Sequence, residues 1–232
     1  MTKLADIARE AAAHIAAADP RLAALIAETG PLNLARRLEA APDDHFGALT
    51  ACIIGQRQSE RDTVRQLAAF RQRFGRPFPT PQQMLSMARP ELAIMLMSHR
   101  KASYLHDLAA DLDARRVRLD DLDALDDLAV AARLASIKGI GSWSIEQILS
   151  WHLERPDVLV TGDPGVKRAF VAAFGLAAYP AAAIIDRINA TWAPYRSFVA
   201  HLLLQSRFGP GESAQWPRQG RPLKGSAHVQ ER

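Results

Sequence analysis

Apolar residues recur at three- and four-residue spacing through most of the first 208 positions, the period of helices that bury one face. The first such run spans Leu4 to Ala18, and Asp19-Pro20 then reads as an N-cap followed by proline in the first helical turn, so a second helix starts at once. Gly30-Pro31 and Ala41-Pro42-Asp43-Asp44 punctuate the next stretch. Phe46 to Gly55 is apolar on nearly every side and predicts a buried helix, whereas Glu60 to Phe74 is amphipathic. Gln56-Arg57-Gln58-Ser59 breaks the pattern between them. Gly75 to Pro81 holds three prolines and is a connector. Pro81 to Leu96 and Lys101 to Leu112 each show one apolar face, joined by Met97-Ser98-His99-Arg100. From Leu128 to Phe174 the pattern is helix, glycine-rich hairpin, helix, irregular loop and helix, and Trp192 to Phe208 predicts a last packed helix.

Alanine and leucine dominate and β-branched runs are scarce, which with this periodicity predicts an all-α fold. A length of 232 residues with 48% hydrophobic content fits one large domain or two small lobes sharing a cleft. Cys52 is the only cysteine, which excludes an intrachain disulfide, a cysteine-based zinc site and a four-cysteine iron–sulfur cluster, and suits a reducing cytoplasm. Asp6, Arg9, Glu10 and His14 interrupt the first run, and no later stretch approaches 18 uncharged apolar residues, so neither secretion nor membrane insertion is expected. The acidic residues from Asp111 to Asp127 are expected on solvated helix starts and faces. The net charge of +4 is compatible with an anionic partner. Beyond Gly209, Pro210, Gly211, Pro217, Gly220, Pro222 and Gly225 among basic residues predict a flexible tail over 209–232. No Walker, Rossmann or zinc-finger spacing is present.

The most informative segment runs from Leu134 to Leu149. Gly139 and Gly141 flank one apolar residue between two helical runs, a pattern that permits a tight turn. Two readings follow. The turn could simply join two helices, or its side-chain-free backbone could let a phosphate approach the N–H groups at the start of the next helix, gripping DNA without reading its sequence. Further on, Asp163 stands between Gly162 and Pro164 at the start of another helical run. It has the form of an N-cap. A carboxylate held there is also fixed in direction, expected to stay ionised, and suited to stabilise a cationic sugar or orient a water.

Taken together, Ile137-Lys-Gly-Ile-Gly141, Trp143 and Val160-Thr-Gly-Asp163 closely resemble the signature of helix-hairpin-helix DNA glycosylases, in the branch typified by DNA-3-methyladenine glycosylase II. Weaker similarity extends over roughly residues 19 to 205, through Ile53-Ile54-Gly55-Gln56, Phe78-Pro-Thr-Pro81, Arg100-Lys101-Ala102 and Trp192-Ala-Pro-Tyr-Arg-Ser197. The resemblance implies two helical lobes, interleaved along the chain, within 1–208, with the hairpin (about 134–150) at the rim of an interlobe cleft and Asp163 at its floor. It implies double-stranded DNA with damaged bases as the partner, a monomer, and extrusion of the target base before its N-glycosidic bond is hydrolysed. Asp163 would be catalytic, and Trp143, Tyr195 and Leu204 would belong to the base pocket. Gly139, Gly141, Ser142, Ser144, Gln56, Arg57 and Ser98 would meet DNA. No cofactor is required, although the backbone carbonyls of Ala135, Ile137 and Ile140 match positions where relatives hold Na⁺ or K⁺.

Several positions depart from the family pattern or admit a plainer role. Strand-cleaving relatives carry a nucleophilic lysine where this chain has Trp143, so hydrolysis without lyase activity is implied. Trp143 could instead be core packing. Arg57 replaces the usual glutamine or apolar wedge, and Met97 stands where glycine is frequent; the Met97–His99 stretch is either a second insertion loop or an exposed turn. Leu204 replaces a pocket tryptophan, which leaves alkylated purines the leading substrate with oxidised or deaminated bases as alternatives. A non-catalytic DNA-binding protein that keeps the hairpin is another alternative, and a helical interaction protein whose glycine turn and capped helix are only structural is a more distant one.

Overall fold

A computed structural model describes residues 3–32, 34, 44–74, 78–158 and 160–208. Among them are twelve α-helices and no strand, so the all-α expectation holds. The expected tail, 209–232, lies outside the described residues. No helix among the described residues is long and apolar enough to cross a membrane. The chain divides into two compact units: one combines Met1–Leu34 with Pro156–Arg232, and the other is the intervening Ala35–Arg155.

The discontinuous unit contains α1 (Lys3–Ala18), α2 (Pro20–Thr29), α10 (Pro164–Ala173), α11 (Ala182–Ala190) and α12 (Arg196–Phe208). Asp19 caps α2, its carboxylate accepting from the Arg21 N–H at 2.9 Å, as Asp-Pro predicts. α12 packs on α1, α2 and α10, and its Phe198, Val199, Leu202 and Leu203 are buried together with Ile15, Leu22 and Phe170 of those helices. Complete burial of a side chain such as Phe198 or Leu22 contributes roughly 1.5–3 kcal/mol. Phe170, Phe174 and Trp192 form an aromatic group over which Arg21 lies, 4.3 Å from the Phe174 ring centre. The last helix begins at Arg196 and not, as its apolar pattern suggests, at Trp192, because Pro194 disfavours helical backbone at the Ala193 before it.

The continuous unit is built around α3 (His45–Gly55), every residue of which from Phe46 to Ile54 is buried. Its apolar circumference explains why: no side of it suits water. α4 (Glu60–Phe74) and α7 (His99–Asp113) pack on it. α5 (Pro81–Ser86) and α6 (Arg89–Leu96) pack on α7 in turn. The single apolar face read over Pro81–Leu96 is thus carried by two helices. Met87 and Ala88 adopt extended backbone ahead of Arg89-Pro90, where proline is tolerated only in a first helical turn. A 3₁₀ turn at Leu122–Ala124 leads to α8 (Asp127–Ala135), capped by Asp126, and the hairpin leads to α9 (Ser142–Gln147). Over Ile148–His152 the helix widens to a π-turn, with Leu153 N–H bonded to Ile148 O at 2.8 Å. The acidic residues of this stretch include the α8 cap Asp126, the exposed Asp120 paired with Arg118, and the half-buried Asp121 paired with Arg133.

Candidate nucleic-acid interface and catalytic carboxylate

Between α8 and α9 the chain reverses in six residues. Ile137 N–H bonds to Leu134 O at 3.0 Å and Ile140 N–H to Ile137 O at 3.1 Å, which leaves Gly139 with φ +90. Only glycine enters that region without strain. A second reason for glycine is contact: a Cβ at 139 would stand 2.4 Å from the Tyr104 ring of α7. Gly141 differs on both counts, with φ −114 and open space where a Cβ would lie. It occupies the N-cap of α9 and offers that helix no side-chain cap, so the backbone there is approachable from outside. Ser142 next to it is exposed, whereas Ser144 is only 2% exposed.

The loop after α3 closes on this hairpin. The Gln56 amide donates to Gly139 O at 2.8 Å and to Ser144 Oγ at 3.2 Å, so three residues read as separate DNA contacts are joined to one another by hydrogen bonds. Trp143 is half-buried over the end of α3, near where a Cβ on Gly55 would be 4.0 Å from its ring. Arg57 is exposed with φ +56. Met97, at the end of α6, has φ 49 and is 70% exposed. A left-handed residue at that spot explains why glycine suits it. Ser98 caps α7, its hydroxyl accepting from the Lys101 N–H at 3.3 Å.

In the discontinuous unit Asp163 is 1% exposed and caps α10. Its Oδ1 accepts from Gly165 N–H at 2.7 Å and Val166 N–H at 3.0 Å, two donors that fix the carboxylate at the positive end of the helix. The segment leading to it is pinned to the start of α12. The Arg196 guanidinium grips the Asp157 carboxylate with two bonds, at 2.6 and 2.9 Å, and Ser197 Oγ accepts from Val158 N–H at 2.9 Å. Asp157 and burial act on Arg196 in opposite directions, and the carboxylate prevails, raising the guanidinium's pKa further. Tyr195 lies edge-on to His14 with its hydroxyl 3.3 Å from Glu10, and partial desolvation together with that carboxylate pushes its pKa up. Leu204 is buried on α12 at 9% exposure.

The model of the HhH-GPD superfamily base excision DNA repair proteins matches residues 50–194, well over half of the chain, and takes in the hairpin and Asp163. The chain belongs to this superfamily. The HhH-GPD chain is 25% identical to the Bacillus subtilis protein YfjP over 167 residues, which is 69% of its own length and 58% of that protein's. It therefore spans little more than half of YfjP. It is 26% identical over 208 residues to the alkylbase DNA glycosidase-like protein mag2 of Schizosaccharomyces pombe, covering 88% of this chain and 96% of mag2. Its fold is similar to that of the S. pombe 3-methyladenine DNA glycosylase Mag1 in complex with abasic DNA, with a TM-score of 0.75 and 22% identity over 84% of this chain and 95% of that one.

Three further residues of the HhH-GPD chain meet the hairpin or the turns beside it and are not marked as site residues by the sequence: Lys101, Tyr104 and Asp107, spaced three apart on α7. Tyr104 underlies Gly139. Asp107 binds Lys138 of the hairpin at 3.0 Å and Arg89 of α6 at 2.8 Å. Burial alone would raise the Asp107 pKa, but these two cations together outweigh it and hold it below the ordinary value. The Lys101 ammonium donates to Ile54 O at 2.5 Å and to Gln58 Oε1 at 2.8 Å; burial, with Arg100 adding to it, keeps its pKa below the ordinary lysine range. The helical period of Lys101–Leu112 marks the face these residues share, but their partners are too distant in sequence to be read from it.

Proposed function

We propose that the protein is a monofunctional base-excision DNA glycosylase that removes an alkylated purine such as 3-methyladenine from duplex DNA. The observation that carries this is Asp163: a carboxylate buried at a helix N-terminus, in the segment that follows the hairpin of a repair superfamily. The names of mag2 and of Mag1 support the substrate class. The hairpin unit grips the duplex through the α9 backbone around Gly141 and Ser142, and the unit holding Asp163 supplies the charge.

Once the damaged base has left the stack, the bond between its nitrogen and the sugar C1′ breaks and the bonding electrons leave with the base. Asp163 stabilises the oxocarbenium-like charge that remains on the sugar, and a water adds to C1′ and releases its proton. Fixed groups of this kind are worth about 10²–10³-fold in rate. Trp143 offers an electron-rich ring face to an electron-poor alkylated base. At the position where a lyase needs an amine, an indole forms no Schiff base, so the strand stays intact until alkali cleaves it. Backbone carbonyls of Ala135, Ile137 and Ile140 would hold a Na⁺ or K⁺ that neutralises a phosphate. Ile137 O accepts one N–H and keeps a second lone pair for it.

The test is single-turnover base release from duplexes carrying 3-methyladenine, 7-methylguanine, hypoxanthine, uracil or 8-oxoguanine, with strand cleavage scored before and after alkali. Release of an alkylated base with alkali-dependent cleavage is expected. Release of only oxidised or deaminated bases would overturn the substrate class, and no release by a protein that binds DNA would favour the non-catalytic alternative.

A further inference from the structure

Four exposed residues among those described hold left-handed backbone without being glycine, Arg57 at φ 56, Met97 at φ 49, Arg115 at φ 54 and Glu154 at φ 52, and the first two lie in turns that share side-chain partners. Each conformation is strained for a residue with a Cβ and persists only where its surroundings impose it. At Arg57 the surroundings are the flanking glutamines. Gln56 is tied to the hairpin, and the Gln58 amide donates to Thr63 Oγ1 at 3.2 Å and Gln66 Oε1 at 2.9 Å of α4. At Met97 they are the carbonyl of Leu96, which accepts from the Gln66 amide at 3.1 Å, and Ser98, whose N–H bonds to Ala93 O at 3.0 Å. Gln66 thus touches both turns through one amide group.

Lys101 touches both through two different groups. Its backbone N–H bonds to Ser98 Oγ and closes the Met97–Ser98 turn. Its ammonium bonds to Ile54 O, at the end of α3, and to Gln58 Oε1 in the other turn. A lysine needed only to cap α3 would require the carbonyl alone. We infer that Lys101 is a positioning residue for DNA engagement, holding the turns that carry Arg57 and Met97 in one register so that a guanidinium and an apolar side chain meet the duplex together. Such a pair suits a lesion site: the thioether side chain fills space in an opened base stack, and the guanidinium meets an orphan base or a phosphate. The inference rests on the DNA-binding part of the function proposed above and not on its chemistry.

The full-length protein is tested with a duplex carrying a tetrahydrofuran abasic analogue opposite 2-aminopurine, beside an undamaged duplex. The fluorescence of 2-aminopurine rises when it is unstacked, and the ratio of the two dissociation constants gives the preference for the lesion. Lys101→Met is expected to lower that preference about tenfold, the worth of one charge-assisted hydrogen bond, and to quench the fluorescence rise at temperatures where the variant is fully folded. In a Cys52→Ala background, Lys101→Cys alkylated with 2-bromoethylamine, which restores an ammonium at nearly the same reach, should recover both signals. The same cysteine capped with iodoacetamide should recover neither. If Lys101→Met does not fold, Gln58→Met removes the acceptor in the turn and leaves Ile54 O bonded, and the same loss is expected. Neutral variants that only melt earlier, with fluorescence and preference unchanged, would overturn the role of Lys101. A wild-type protein that leaves 2-aminopurine stacked would overturn it together with DNA engagement. Engagement without base release in the separate turnover assay would strike the chemistry and leave Lys101 standing.

Discussion

Replacing Asp163 with asparagine separates the cap that its side chain forms from the catalytic role proposed for it. Both amide bonds of the cap end on Oδ1, and an asparagine carbonyl oxygen can occupy the same place and accept from Gly165 and Val166. What disappears is the negative charge at the helix start, worth about 0.3–1 kcal/mol of stability, or a melting temperature lower by roughly 1–4 °C for a chain of this size. The catalytic loss should be far larger, about 10²–10³-fold, equivalent to about 2.7–4 kcal/mol of transition-state stabilisation. Asp163→Ala provides the contrast. It strands two buried N–H groups at about 1–3 kcal/mol each, so it should melt well below the asparagine variant while being similarly inactive. Single-turnover base release from an alkylated duplex, with melting curves on the same preparations, measures both quantities. An asparagine variant that releases base at the wild-type rate would refute the electrostatic role. One destabilised as much as the alanine variant would refute the claim that the cap survives.

Gly139→Ala should cost more than about 1–2 kcal/mol, since φ +90 opposes any Cβ and the Tyr104 ring occupies its space, whereas Gly141→Ala should fold normally and weaken DNA binding; equal melting temperatures for the two would contradict the geometry. Asp107 has its pKa depressed below 3.8, so its ion pairs contribute stability above that pH and lose it as pH falls through the folded value. Melting temperature should therefore drop more steeply in acid for wild type than for Asp107→Asn, and parallel curves would disprove the linkage. Ser197→Ala removes the acceptor of a buried Val158 N–H and should cost about 1–3 kcal/mol in a denaturant titration, while an unchanged midpoint would show that water or another group replaces it.

What the sequence disclosed is what neighbouring residues decide among themselves. Gly139 and Gly141 announce a tight reversal, Asp163-Pro164 announces a cap, and Asp19-Pro20 does the same for α2, because each depends on backbone chemistry within three or four positions. The limits of the helices were less legible wherever proline competed with an apolar period, as at Arg89-Pro90 and Ala193-Pro194. Left-handed backbone at Arg57 and Met97 carries no glycine to mark it. Lys101 was hidden for another reason: the similarity of Arg100-Lys101-Ala102 to the family gives it no role, and its acceptors lie 43 and 47 positions earlier, beyond any local pattern. The pairing of Met1–Leu34 with the residues after Pro156 is likewise invisible to periodicity, which records that a helix has a buried face and not what covers it.

That pairing bears on how the protein is made. α2 has no partner from α12 until nearly the whole chain has left the ribosome, while every residue of the hairpin unit, Ala35–Arg155, has already emerged. The cap at Asp163 forms on a helix that packs against α12, so a nascent or C-terminally shortened chain would own its phosphate grip before it owned its carboxylate. Termination between Arg155 and α12 is therefore expected to leave a chain with its hairpin unit whole but without the helix against which the one capped by Asp163 packs.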